Sequence, residues 1–193
     1  KEDITEYIGK NCILPFLMDR LAETDPKAFK PDGEVWTMLR ESGDRYIYDA
    51  VKRGYTHDWQ SEIPEEIAVG LDTSRPGLLE RRALWNTPTP EQWALPTEIW
   101  RETVERLQRC DALLAKIRNG EINAINDFIT YNLDIRSFVQ DLLDNTSDHL
   151  LVLHFYKALQ HVTILDPTCG SGAFLFAAMN ILEPLYQVCI ERM

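Results

Sequence analysis

The sequence has no Pro-Pro pair, no Cys-x-x-Cys spacing, and no lysine or arginine between Lys157 and Arg192. Basic residues are outnumbered: 20 Lys and Arg face 31 Asp and Glu, a formal net charge of −11. A chain that grips nucleic acid normally shows a basic face, so this one is not expected to be a DNA-grasping module by itself. No run approaches the ~18 uninterrupted apolar residues of a membrane span. The charged opening, Lys1 to Glu6, does not read as a signal peptide. The four cysteines, Cys12, Cys110, Cys169 and Cys189, show no paired spacing, and a chain of 193 residues needs no disulfide staples. They are read as reduced thiols of a cytoplasmic protein. His154 and His161 can share a helix face, but neither they nor His57 and His149 sit in a ligand cluster of zinc spacing. The histidines are read as structural or surface groups, with no metal expected.

What is present is a globular composition. Hydrophobic residues make up 45% and charged residues 26%, too apolar for disorder and enough for one large domain or two small ones. Residues 1–160 read as helical by the 3.6-residue period. Asp3 and Glu6 have the form of a capping box. Pro15 predicts a kink or a second helix start. Pro26, Pro31, Asp32 and Gly33 make a turn, and Val35–Leu39 and Tyr46–Val51 read as short helices. Residues 84–97, carrying Trp85, Pro88, Pro90, Trp93 and Pro96, form an extended connector pinned to the helices by its tryptophans.

Thr97 can cap a long helix from Glu98 to about Arg118, with Trp100, Val104, Leu107, Leu114 and Ile117 on one stripe. Glu102–Arg106 and Glu105–Arg109 are expected as i,i+4 pairs on the solvated side, and Asn119-Gly120 as the stop. Asp134 is the cap of a helix whose Ile135, Phe138, Val139, Leu142 and Leu143 form a second stripe. Ser147 can cap the next helix, whose body Leu150–Leu159 is apolar nearly all round and expected to be buried.

The pattern then changes. Val162-Thr163-Ile164-Leu165 is short, mostly apolar and half β-branched, as a buried parallel strand would be. Asp166-Pro167-Thr168-Cys169-Gly170-Ser171-Gly172-Ala173-Phe174-Leu175 follows, running into an apolar helix to about Ile190 that is expected to break or bend near Pro184. Strand, acid, glycine turn, helix is the order of the first β-turn-α unit of a doubly wound nucleotide-binding sheet. Gly170 and Gly172 allow a sharp turn and close approach of a ligand. Free amides at the helix start favour a negative group, and Asp166 can accept from a cationic or hydroxyl donor. A P-loop is excluded because it needs Gly-Lys-Ser/Thr. The dinucleotide fingerprint is disfavoured because Leu175 occupies its third glycine position.

The full ten-residue string resembles the S-adenosylmethionine-binding motif of N6-adenine DNA methyltransferases, commonly D-P-x-C-G-S-G-x-[FL]-L. It is most similar to the fused type IIG restriction-modification methylases and related phage-defence methylases. In those, the methylase domain follows a long helical region, and here the looser resemblance reaches back through Asp134-Ile135-Arg136 and Phe155-Tyr156-Lys157-Ala158-Leu159. The resemblance implies that Asp166, Pro167, Thr168, Cys169, Gly170, Ser171 and Gly172 line the methionine end of the cofactor, with Ala173 beside them. Phe174 would lie toward the adenine or the target base. Cys169 is not implied as a nucleophile.

The family's catalytic [ND]-P-P-[YF] is absent, so no catalytic residue is assigned. Gly54-Tyr55-Thr56-His57 does not match the family's G-x-[FY]-[YF]-T-P element, and no P-D…[DE]-x-K nuclease signature is found. The expected fold is mainly α. Residues 1–160 form a helical scaffold or connector domain, and residues 161–193 begin a truncated methyltransferase domain, the first β-α unit of an incomplete Rossmann-like sheet. The expected function is that of a fragment of a site-specific DNA adenine-N6 methyltransferase, inactive alone. Parts of the parent outside this chain would meet double-stranded DNA and carry a nuclease or specificity domain, with no membrane involved. The alternative is a helical connector that couples methylase to nuclease or partner subunits and binds no ligand of its own.

Overall fold

The computed structural model describes residues 2–193, apart from the side chains of Glu2 and Asp3. Helix accounts for 65% of the chain, which is therefore mainly α. The α-helices of the described residues are α1 (Glu2–Thr24), α2 (Glu34–Ser42), α3 (Asp49–Lys52), α4 (Trp59–Glu62), α5 (Glu65–Ala68), α6 (Leu78–Arg81), α7 (Trp100–Arg118), α8 (Ile125–Thr130), α9 (Ile135–Asn145), α10 (His149–His161) and α11 (Ala173–Arg192). They fall into two compact units, Lys1–Tyr46 with Lys116–Met193, and Ile47–Ala115.

In the first unit α1 packs on α9, α10 and α11, and α11 packs on α9 and α10. Leu14, Leu17, Met18 and Leu21 of α1 are fully buried and recur at the helical period. The α9 stripe Ile135, Phe138, Val139, Leu142 and Leu143 is buried, as its spacing predicts. Asp134 caps that helix, accepting from the Ser137 N–H at 3.3 Å and the Ser137 hydroxyl at 2.7 Å. Small residues let α1 and α11 close: a Cβ on Gly9 would lie 3.1 Å from Ile181 Cδ1 and 4.0 Å from Ala177. The Tyr186 hydroxyl of α11 donates to the Leu159 carbonyl at 2.8 Å, and the Arg192 guanidinium donates to the Thr146 carbonyl.

Several expectations are corrected here. Pro15 neither starts nor splits a helix; α1 runs through it, and α11 likewise runs unbroken through Pro184. A mid-helix proline costs about 3 kcal/mol. Each fully buried leucine flanking Pro15 returns roughly 1.5–3 kcal/mol, so packing prevails. The Asp3–Glu6 capping box lies outside the described side chains, while Glu6 itself reaches Arg136 at 2.6 Å. Asp148, not Ser147, caps α10, because its carboxylate takes the Leu150 N–H at 2.9 Å. That helix buries Leu151, Val152, Phe155 and Leu159 but leaves Leu150 60% exposed, so only one face is covered.

The strand expected at Val162–Leu165 is not formed, and no strand occurs among the described residues. Leu165 is 87% exposed and Ile164 39%. A strand exists only where a neighbour pairs its N–H and C=O groups, and no described segment does so here. The β-α unit is therefore a turn and a helix without its strand. Helix α11, of mean hydropathy 1.5, is long and apolar enough to cross a membrane by length and composition. Its buried face, Ala177, Ala178, Ile181, Leu185, Val188 and Cys189, is shared with the other helices of this unit.

The second unit is built around Trp59, Ile63, Ile67, Trp85, Trp93, Trp100, Val104 and Leu107. The connector tryptophans are buried as expected, and the Trp85 indole N–H donates to the Ile67 carbonyl at 3.0 Å. The Tyr55 hydroxyl and the Trp59 indole N–H each donate to Asp111 at 2.7 Å. Thr97 is no cap: its φ is +69° and α7 begins at Trp100. Glu102 takes the Ile99 N–H at 3.2 Å instead of pairing with Arg106. Arg106 is only 5% exposed and grips Glu98 in a fork, Nε to Oε1 and Nη2 to Oε2, both at 2.8 Å. Its remaining donors meet the carbonyls of Trp93 at 2.7 Å, Arg53 at 2.6 Å and Val51 at 3.2 Å.

Burial alone would raise the Glu98 carboxyl pKa, but hydrogen bonds from Arg106, the Leu95 amide and Thr103 outweigh it and hold the group below the ordinary carboxylate value. A depressed carboxylate contributes stability that is fully present above the unfolded-state pKa and is lost as pH falls through the folded-state value. Arg106→Met should strand Glu98 and destabilise this unit by about 3–5 kcal/mol, and should abolish that acid dependence. Urea unfolding followed by tryptophan fluorescence reads this directly, since four of the five tryptophans lie in this core.

Candidate functional site

The site lies where the chain leaves α10 and enters α11. Asp166 Oδ1 accepts from the Thr168 N–H at 2.9 Å and from its hydroxyl at 3.3 Å, a turn closed by an acidic side chain. The Gly172 N–H then donates to the Cys169 carbonyl at 2.7 Å. Gly170 and Gly172 adopt φ of +49° and +76°. A Cβ on Gly172 would meet the Phe176 ring at an ordinary 3.5 Å. The need for glycine is therefore conformational rather than a matter of room.

Gly172 provides no side-chain cap for α11. The first amide to bond back along the helix is that of Phe176, to the Gly172 carbonyl at 2.9 Å. The amides of Ala173, Phe174 and Leu175 thus lack an intrahelical acceptor, and together they favour a negative or strongly dipolar group. Asp166 Oδ2 is shielded from solvent and has no hydrogen-bond partner. A shielded carboxylate oxygen without a donor is costly, so Asp166 retains unused acceptor capacity within the loop.

Asp166 and Gly172 are half-buried, whereas Pro167, Thr168, Cys169, Gly170, Ser171, Ala173 and Phe174 are exposed. Beside the loop is a cleft of about 650 Å³, within the roughly 300–1,000 Å³ of small-molecule sites. Of the residues expected to bind the cofactor, Ser171 and Ala173 line it; Asp166, Pro167, Thr168, Cys169, Gly170, Gly172 and Phe174 do not. The rest of the lining is Phe176, Ala177 and Asn180 of α11, Thr5 and Glu6 of α1, and Arg136 of α9. Sequence reasoning missed these. Ala173, Phe176, Ala177 and Asn180 share one helical face, so the α11 wall could have been read from periodicity. Glu6 and Arg136 stand 130 positions apart, and no local signal joins them.

Elsewhere in this unit, His154 and His161 share a smaller cleft of about 350 Å³ with Phe16, Arg20 and Lys157. His154 Nδ1 lies 3.9 Å from Asp25. Among the described residues no group of three or more His, Cys, Asp and Glu is placed to hold a metal.

Cys12 and Cys169 are exposed, and Cys110 and Cys189 are buried. Burial pushes both buried thiols up to about 11, and at Cys110 the Asp111 carboxylate adds to it. In the native protein at neutral pH, a thiol reagent should label Cys169 and Cys12 and spare the other two. Mass spectrometry of labelled peptides checks this; fast native labelling of Cys189 would mean that α11 is not packed as described.

In comparisons with known proteins, the chain matches no family model, no curated protein and no solved structure.

Proposed function

We propose that this chain is part of a site-specific DNA adenine-N6 methyltransferase of the restriction-modification or phage-defence kind, and that it carries the S-adenosylmethionine cradle. The observation behind this reading is the string Asp166 to Leu175. It folds as an acid-closed turn with two left-handed glycines and opens onto the N-terminus of a long helix that buries one face. The residues fit the cofactor: Asp166 has a shielded oxygen in need of a donor, and the cleft at Ser171 and Ala173 is large enough.

In this reading Asp166 and the loop amides to Gly172 hold the methionine end, and Phe174 lies toward the adenine or the target base. The bound cofactor supplies a methyl group on a sulfonium, already a good leaving group. The protein's task is then to orient it and to exclude competing positions. The chain has no Pro-Pro, so the groups that grip the adenine amino group are assigned to other parts of the parent. So are the surfaces that meet double-stranded DNA and the strands that would flank Val162–Leu165. On this reading residues 161–193 open the methyltransferase domain of a cytoplasmic protein, with a nuclease or specificity domain elsewhere in the parent.

A second reading, a helical connector with no ligand of its own, is favoured by one observation. Leu165, Phe176 and Met179 stay largely exposed, as a surface awaiting a partner would. Titration calorimetry separates the two. The cofactor reading expects micromolar binding of S-adenosylmethionine and about tenfold weaker binding by Asp166→Asn, with no methyl transfer to DNA by the 193-residue chain alone. A folded chain that binds no cofactor supports the connector.

A further inference from the structure

We infer that Arg136 and Glu6 clamp the amino-acid end of the ligand, its carboxylate facing Arg136 and its ammonium facing Glu6. This rests on the cofactor reading above. Among the described residues these are the two charged side chains that line the cleft, and they carry opposite signs. Their side chains touch at 2.6 Å and remain 37% and 47% exposed. A group with a carboxylate and an ammonium on one carbon presents the complementary pair of charges. Binding it exchanges one half-solvated ion pair, which contributes little by itself, for two charge-assisted contacts.

Three features set Arg136 up for this. It lies in the first turn of α9, where a cation opposes the helix dipole, so helix stability does not explain it. Its Nη2 donates to the Asn180 carbonyl at 3.1 Å, which keeps the guanidinium on the cleft wall when Glu6 turns to a ligand. A guanidinium has five N–H donors, and the bonds to Glu6 and Asn180 use two. The clamp also gives the cleft lined by Ser171 and Ala173 a charged part of its wall.

The test compares S-adenosylhomocysteine with 5′-methylthioadenosine, which lacks the amino-acid end, by calorimetry on the 193-residue chain. Arg136→Met should weaken S-adenosylhomocysteine about tenfold or more and leave methylthioadenosine within about twofold. Arg136→Lys should fall between, since it keeps the charge and loses the fork, and Glu6→Gln should weaken only the amino-acid ligand. Thermal unfolding confirms that each variant is folded; if Arg136→Met is not, Arg136→Lys and Glu6→Gln carry the result. Equal losses for both ligands, or no loss for either, overturn the clamp while wild-type binding leaves the cofactor reading standing. A wild-type chain that binds neither ligand overturns both.

Discussion

The burial of α11 against α1, α9 and α10 is the interaction on which the first unit and its site depend. Six side chains of that helix, Ala177 to Cys189, are buried, and the close approach at Gly9 lets α1 seat against them. The same burial carries α11 past Pro184 without a break. The helix is held from Ala177 onward, and its largely exposed first turn, with the orphan amides, projects from that packed body. The glycine loop then needs few contacts of its own. The Asp166–Thr168 turn and one backbone bond from Gly172 are enough to shape it.

Two arginines show how differently one side chain is used in this protein. Arg106 is buried, and its three nitrogens all find acceptors, through five hydrogen bonds to Glu98 and three carbonyls. It is part of the architecture of the second unit, and it leaves nothing over for a ligand. Arg136 is half-exposed, sits at the wrong end of its helix for the dipole, and lines a cleft. The contrast gives the net charge of −11 a narrower meaning. An acidic chain still places a cation where the amino-acid carboxylate of the proposed cofactor would arrive.

Much of this was legible in the sequence. The α7 and α9 stripes, the Asp134 cap, the stop at Asn119-Gly120 and the buried connector tryptophans follow from periodicity and local chemistry, which act within a few residues. The stop is closed by bonds from Gly120 to Ile117 and from Glu121 to Lys116. What was not legible depends on distant partners. Nothing near Pro15 says that packing on α9, α10 and α11 will carry α1 through it unbroken, and local spacing favoured Glu102 over Glu98 for Arg106. Val162–Leu165 has strand character, but strand formation is decided by a neighbour, and none is present among the described residues. In the site, the ten-residue string was readable, whereas Glu6 and Arg136 meet only through the fold.

The central claim is that the loop Asp166–Gly172 and the start of α11 form a cofactor cradle. Hydrogen–deuterium exchange of this chain, with and without saturating S-adenosylmethionine, tests it most directly. The account predicts that exchange slows in peptides spanning Asp166–Leu175 and in those around Glu6 and Arg136, with the second unit unchanged. Protection confined to other segments, or none at saturation, would contradict it.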